Sequence, residues 1–160
     1  MADSAALLVD EILPHQPMRQ WVLSVPFPLR FMFASEPAVL RKVLGIVYHT
    51  IATYLTHKAG YTKTTAQTGA VTLIQRFGGA LNLNIHFHML FLDGVYFDCT
   101  HGSHARFRWV KAPTSDELTH LTHTIAHRVA RYLERQGLLV HDAGISRGRP
   151  NKGTLRNTSV

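Results

Sequence analysis

The sequence predicts an α+β fold in which helices pack on one face of a mainly antiparallel β-sheet, and three observations carry that reading. Segments with helical spacing and segments with period-two alternation interleave in the order helix, strand, helix, strand, strand, strand, helix. The stretch from Leu81 to Leu92, L-N-L-N-I-H-F-H-M-L-F-L, alternates so strictly that one of its faces is wholly apolar and needs a cover. The last helical segment supplies an apolar stripe of Leu118, Leu121, Ile125, Val129 and Leu133, the kind of face that provides one.

Taken in order, residues 3 to 13 place Leu8, Val9, Ile12 and Leu13 on one helical face, ended by Pro14. Arg19 to Val25 reads as a strand stopped by Pro26 and Pro28. A long helix follows, with Ser35 as N-cap, Pro37 in its first turn and Gly60 as its stop. Its apolar positions are Leu40, Val43, Leu44, Val47, Ile51, Tyr54 and Leu55. Gly69 to Phe77 is a second strand, closed by Gly78-Gly79. Asp93-Gly94 is a turn signal before Val95-Tyr96-Phe97, which predicts a hairpin. Arg106 to Lys111 alternates as a further strand, with Phe107 and Trp109 on one side and expected in the core. Thr114 and Glu117 form a capping-box pattern that opens a helix from Ser115 to Gln136, and Gly137 terminates it. The domain is therefore expected over residues 1–140. Residues 141–160, poor in apolar side chains and scattered with Gly, Arg and Lys, read as a disordered basic tail, foreign to the domain or out of frame.

Composition narrows the partners. Lys and Arg outnumber Asp and Glu by 17 to 10, a net charge of +7, and twelve of those cations are Arg. That balance suits a polyanion, because the guanidinium fork matches phosphate oxygens. The single cysteine, Cys99, excludes an internal disulfide and fits a reducing cytoplasm, and acids at the N-terminus speak against a secretion signal, so a cytoplasmic location is expected. No apolar run approaches the length of a membrane span.

The strand from Leu81 to Leu92 concentrates the chemistry. Leu81, Leu83, Ile85, Phe87, Met89 and Phe91 share one face; Asn82, Asn84, His86 and His88 share the other. Four polar groups in a row on a strong strand mark an open, functional surface. His86 and His88, at i and i+2, have Cα atoms roughly 6.5–7 Å apart on the same side and can share one divalent ion. Gln75, near the end of the preceding strand, is the candidate third ligand. The residues leave the ion open: imidazoles suit zinc as well as manganese, while phosphodiester chemistry recruits magnesium or manganese ahead of zinc.

Three blocks then carry a resemblance: M-R-Q-W-V-L-S-V-P-F-P-L-R-F, T-G-A-V-T-L-I-Q-R-F-G and N-L-N-I-H-F-H-M-L-F-L-D-G-V-Y. Together, and in that order, they resemble the rolling-circle, two-tyrosine transposases of bacterial insertion sequences and common-region elements, over about residues 1 to 140. That family belongs to the HUH endonucleases, so the resemblance implies a relaxase-like (ferredoxin-like) core with both motif histidines on a central strand. It also implies a metal held by His86 and His88 that polarises the scissile phosphate, while a tyrosine attacks and becomes a 5′-phosphotyrosine. The nucleophilic tyrosines of the family form a Y-x-x-x-Y pair on a later helix. Tyr48, Tyr54, Tyr61, Tyr96 and Tyr132 contain no such pair, and Tyr54 and Tyr132 read as packing residues. The family's cysteine-rich zinc region is likewise not matched. The expectation is a truncated transposase core that binds single-stranded DNA and lacks a catalytic nucleophile.

Arg76, Asn82, Asn84, Arg106, Arg108 and Lys111 are the expected DNA contacts, being cations and amides on or beside the strands. His120, His123 and His127 share one side of the last helix and read as solvated surface. Three other readings accompany the transposase one. These are a metal-free nucleic-acid-binding sheet, a zinc hydrolase using the His-x-His strand, and a remnant without function. The sheet reading lacks stacking aromatics on its open face.

Overall fold

A computed structural model describes residues 15–79, 82–98 and 105–139. The helix expected over residues 3 to 13, Leu81, Cys99 and the tail from residue 141 lie outside the described residues.

Strand β1, Met18–Ser24, leads into helix α1, Phe27–Ser35, and directly into helix α2, Pro37–Lys58. The prolines read as strand stops instead open a helix. Pro26 is the N-cap residue and Pro28 sits in the first turn, where a missing N–H costs nothing. Ser35 is not the N-cap of α2. It is the last residue of α1, and its hydroxyl donates back to the carbonyls of Phe31 and Met32. The break falls at Glu36 (φ −116°, ψ 83°), because the residue before a proline is driven out of the helical region. Gly60, at φ +84°, ends α2 as its left-handed stop.

Four strands follow: β2, Ala66–Gln67; β3, Ala70–Phe77; β4, Leu83–Leu92; and β5, Gly94–Phe97. Strand β6, Arg106–Trp109, and helix α3, Ser115–Arg135, complete the described elements. They form two antiparallel sheets, in the orders β1-β4-β3 and β2-β5-β6. The expected hairpin at Asp93-Gly94 is absent: β4 and β5 follow each other almost without a break, and the chain passes from one sheet to the other there. The positive-φ glycines among the described residues are Gly60 and Gly137, so Gly94 does not make the turn its dipeptide suggests. Its bare Cα answers a different need, since a Cβ there would lie 2.2 Å from the carbonyl oxygen of Arg108.

Asp93 pins this crossing. Its carboxylate takes two hydrogen bonds from the Arg19 guanidinium, at 2.9 and 2.6 Å. Its N–H donates to Pro17 and its carbonyl accepts from Val110. The crossing is thereby tied to the start of β1 and the end of β6.

Ile85, Phe87, Met89 and Phe91 of β4 are fully buried, as the alternation requires. They form one core with Val39, Leu40, Val43, Val47, Ile51 and Leu55 of α2, Leu121, Ile125 and Leu133 of α3, and Val95 of β5. The helices therefore cover one face of the β1-β4-β3 sheet, as expected. Helix α3 opens with the predicted capping box, the Glu117 N–H donating to Thr114 Oγ1 and the Thr114 N–H to Glu117 Oε2. Gly137 closes it at φ +69°. Trp109 departs from expectation: it is 56% exposed, while Phe107 is half-buried against Tyr96. Strand β6 is an edge strand, so alternation along it does not bring both aromatics to the core.

Candidate functional site

Strand β4 is the central strand of its sheet, and its uncovered face carries Asn84, His86 and His88. Register sets their neighbours. On one side Ser24 faces His86 and Val22 faces His88; on the other Gln75 faces His86 and Leu73 faces His88. Cross-strand and diagonal neighbours on one face meet side chain to side chain. Four hydrogen bonds result. Ser24 Oγ is 3.0 Å from His86 Nδ1, and Gln20 Nε2 is 3.3 Å from His88 Nδ1. Gln75 Oε1 is 3.0 Å from His88 Nε2, and Gln75 Nε2 donates to the carbonyl of Phe77 at 3.0 Å.

These contacts assign the His88 tautomer. The Gln20 amide nitrogen can only donate, so His88 Nδ1 accepts and the ring proton sits on Nε2. That N–H then donates to Gln75 Oε1, an oxygen that can only accept. The neutral ring thus satisfies both glutamines at once.

His86 is held neutral by other means. Its burial comes first, then the neighbouring His88 and the Arg30 guanidinium, and together they push its pKa below the ordinary imidazole value. Arg30 reaches this end of the sheet from α1, its side chain donating to the carbonyls of Val25 and Leu83. Two residues before His86, the Oδ1 of Asn84 is buried without a hydrogen-bond partner. A buried unsatisfied acceptor costs about 1–3 kcal/mol, so this end of the face holds an unmet demand for a donor.

The donor set fits a divalent ion. A neutral imidazole and an amide oxygen are metal ligands, and His88 offers Nε2 once its ring proton moves from Nε2 to Nδ1. Two cis ligands at about 2.1 Å from an octahedral ion lie about 3.0 Å apart, the observed separation of His88 Nε2 and Gln75 Oε1. The two imidazole centroids are 6.1 Å apart, within the roughly 6.5 Å that two rings on one ion can span. Among the described residues no three His, Cys, Asp or Glu side chains converge, so a site here would need an amide such as that of Gln75 as its third ligand.

The structure brings His86, His88 and Gln75 together and divides the remaining candidates. Arg76, Asn82 and Asn84 stay on the histidine sheet or at its edge, with Arg76 exposed beside the register shift that follows Gln75. Arg106 and Arg108 belong to the second sheet, and exposed Lys111 lies just beyond it. Arg108 lies over the ring of Tyr61, 5.7 Å from its centroid. Gln20, Ser24 and Arg30 went unnoticed in the sequence. The only signal for the first two was the polar alternation of β1, which gains meaning once its register against β4 is known.

None of the five tyrosines lies on the histidine face. Tyr48 stacks on Phe91, and Tyr54 meets Trp21 edge-on, both on the helical side. Burial raises the pKa of Tyr54 against the pull of Lys58, the wrong direction for a nucleophile. Tyr61 stacks on Phe97 and Tyr96 meets Phe107, around the second sheet. Tyr132 lies half-buried on α3.

No curated protein and no solved structure matches the chain. A family model described as "Putative transposase" matches residues 69–151, which takes in β3, β4, β5, β6 and α3. The matched segment contains Gln75, His86 and His88, and it runs on into the residues for which composition suggested a separate tail. With just over half of its residues inside that match, the chain belongs to this transposase family.

Proposed function

We propose that this chain is the strand-holding core of a rolling-circle transposase of the HUH type. On this reading it grips single-stranded DNA on the open face of its first sheet, with His86, His88 and Gln75 holding a divalent ion, manganese or magnesium. The observation that carries it is the contact of His88 Nε2 with Gln75 Oε1, 3.0 Å apart on the central strand of a transposase-family segment. A divalent ion there would supply Lewis-acid polarisation of a phosphodiester oxygen.

The chain's own residues do the rest. Ser24 Oγ can accept from His86 Nδ1, and the Gln20 amide, turned to present its oxygen, can accept from His88 Nδ1, the outer partners that metal-binding histidines need. Arg76, exposed beside Gln75, and the amides of Asn82 and Asn84 are placed to contact a strand entering the face. On this reading none of the five tyrosines is the one that attacks phosphorus, since none lies on the histidine face, and the chain's own part is to hold the strand. Among the described residues no helix is long and apolar enough to cross a membrane, and we place the work in the bacterial cytoplasm.

The test is thermal unfolding against increasing Mn²⁺, beside a His86→Ala/His88→Ala variant. At about 100 times its dissociation constant the ion stabilises the fold by roughly 2.7 kcal/mol, several degrees for a chain of this size. A saturable rise confined to the wild type is the expected result. Equal, flat curves would leave a metal-free binding sheet. A response to Zn²⁺ alone, with turnover of a small ester, would favour the hydrolase reading.

A further inference from the structure

On the far side of the helical layer, α2 and α3 border an open groove of about 610 Å³. Arg41, Lys42 and His49 line it from α2, and Arg128, Arg131 and Arg135 from α3. All six are exposed, and no carboxylate is among the described lining residues. Both helices turn their buried stripes toward the sheet, so the sheet and its core separate this groove from the histidine face. Like charges placed along two facing helices repel one another. Arg128 on the α3 side donates to Thr50 Oγ1.

Gly45 is an independent sign. It lines the same groove from the middle of α2, where glycine is the costliest residue short of proline. Among the described residues nothing lies within 4 Å of the Cβ it lacks, so no contact there demands a glycine. A missing side chain at that position does keep the groove open to something approaching from outside.

We propose that this groove binds the phosphate backbone of duplex DNA, as a second nucleic-acid site apart from the histidine face. Arg128, Arg131 and Arg135, at i, i+3 and i+7, form a stripe about 10 Å long opposite the α2 cations. Proteins that hold single strands pair such cations with exposed stacking aromatics. Here the described rings are Tyr132, half-buried, and the lone imidazole of His49, so the groove offers mainly charge and N–H donors to phosphates and no row of stacking rings for successive bases. The proposal shares DNA with the reading above but does not depend on the metal.

Fluorescence anisotropy of a labelled short duplex tests it, with Arg131→Gln/Arg135→Gln and Gly45→Gln as variants. The double variant is expected to lose about tenfold or more in affinity at low salt. Its slope of log K against log[salt] should flatten by about 2, near 0.9 per lost phosphate contact. Gly45→Gln fills the groove while favouring the helix, so duplex binding should fall as Tm holds or rises. The Mn²⁺ response of the double variant should equal that of wild type. If the wild type shows no Mn²⁺ response, the metal reading falls and this one stands. Wild-type duplex affinity in the double variant overturns the proposal. So does tighter binding of the wild type to phosphatidylserine vesicles than to duplex, which would make the groove a membrane-surface site.

Discussion

His88 sits between two glutamines whose amides allow one proton arrangement, and that arrangement leaves Nε2 aimed at Gln75 Oε1. For an ion to be held there the ring proton would move from Nε2 to Nδ1, the Gln20 amide would turn its oxygen to meet it, and Nε2 and Gln75 Oε1 would hold the ion side by side. Gln75→Leu removes the proposed third ligand and is expected to weaken Mn²⁺ binding at least about tenfold by calorimetric titration. Gln75→Glu, which adds charge at the same reach, should strengthen it. Equal affinities for wild type and Gln75→Leu would remove Gln75 from the ligand set. The pairing of His86 with His88 was legible in the sequence because strand alternation alone places i and i+2 on one face. Gln75 was legible as the end of a neighbouring strand. Gln20 and Ser24 were not, because which residue of β1 faces which histidine depends on register, and register is a tertiary outcome.

At the scale of elements, the stretch 92–95 shows why a dipeptide can mislead. Asp-Gly between alternating strands ordinarily signals a tight hairpin, and here both residues serve a crossing between sheets. Asp93 is spent on Arg19, and Gly94 on the close approach of the Arg108 carbonyl. Gly94→Ala would force a methyl to within 2.2 Å of that backbone oxygen, which cannot swing aside as a flexible side chain would. It should destabilise the protein by about 2–3 kcal/mol in urea unfolding, in the range of strained or overpacked sites. A loss below about 0.5 kcal/mol would mean that β5 and β6 part easily. Helix α1 was missed for a related reason. Its prolines stand at the one place where a helix tolerates them, and Phe27 and Phe31, 79% and 77% exposed, give it little of the buried stripe that periodicity detects. The capping box of α3 was legible because its residues act on their own backbone.

Across the whole molecule, the sheet–helix layering followed from patterns within single segments, whereas the division into two sheets did not, since strand partners are chosen over long separations. One polar network ties the helical layer together at such a separation. Lys58, at the end of α2, donates to Glu117 in the first turn of α3, to Tyr54 and to the carbonyl of Ala112. The Lys58 ammonium, followed by the Thr114 N–H, lowers the Glu117 pKa from 4.5 to about 2. A carboxylate with a depressed folded-state pKa stabilises the fold above its unfolded value, so the contribution is complete above about pH 4.5. It is lost as pH falls through that value toward 2, where the folded state also takes up the proton. Glu117→Gln isolates the charge, because a glutamine at the same position can still reach back to the Thr114 N–H. The pair is partly exposed, with side chains 20% and 34% accessible, so the loss at neutral pH should stay below about 1 kcal/mol. Urea midpoints measured from pH 7 down to pH 2 should therefore start close together and converge further in acid. The wild type would lose its small advantage between pH 4.5 and 2, and an advantage that persists at pH 2 would assign it to packing instead of charge.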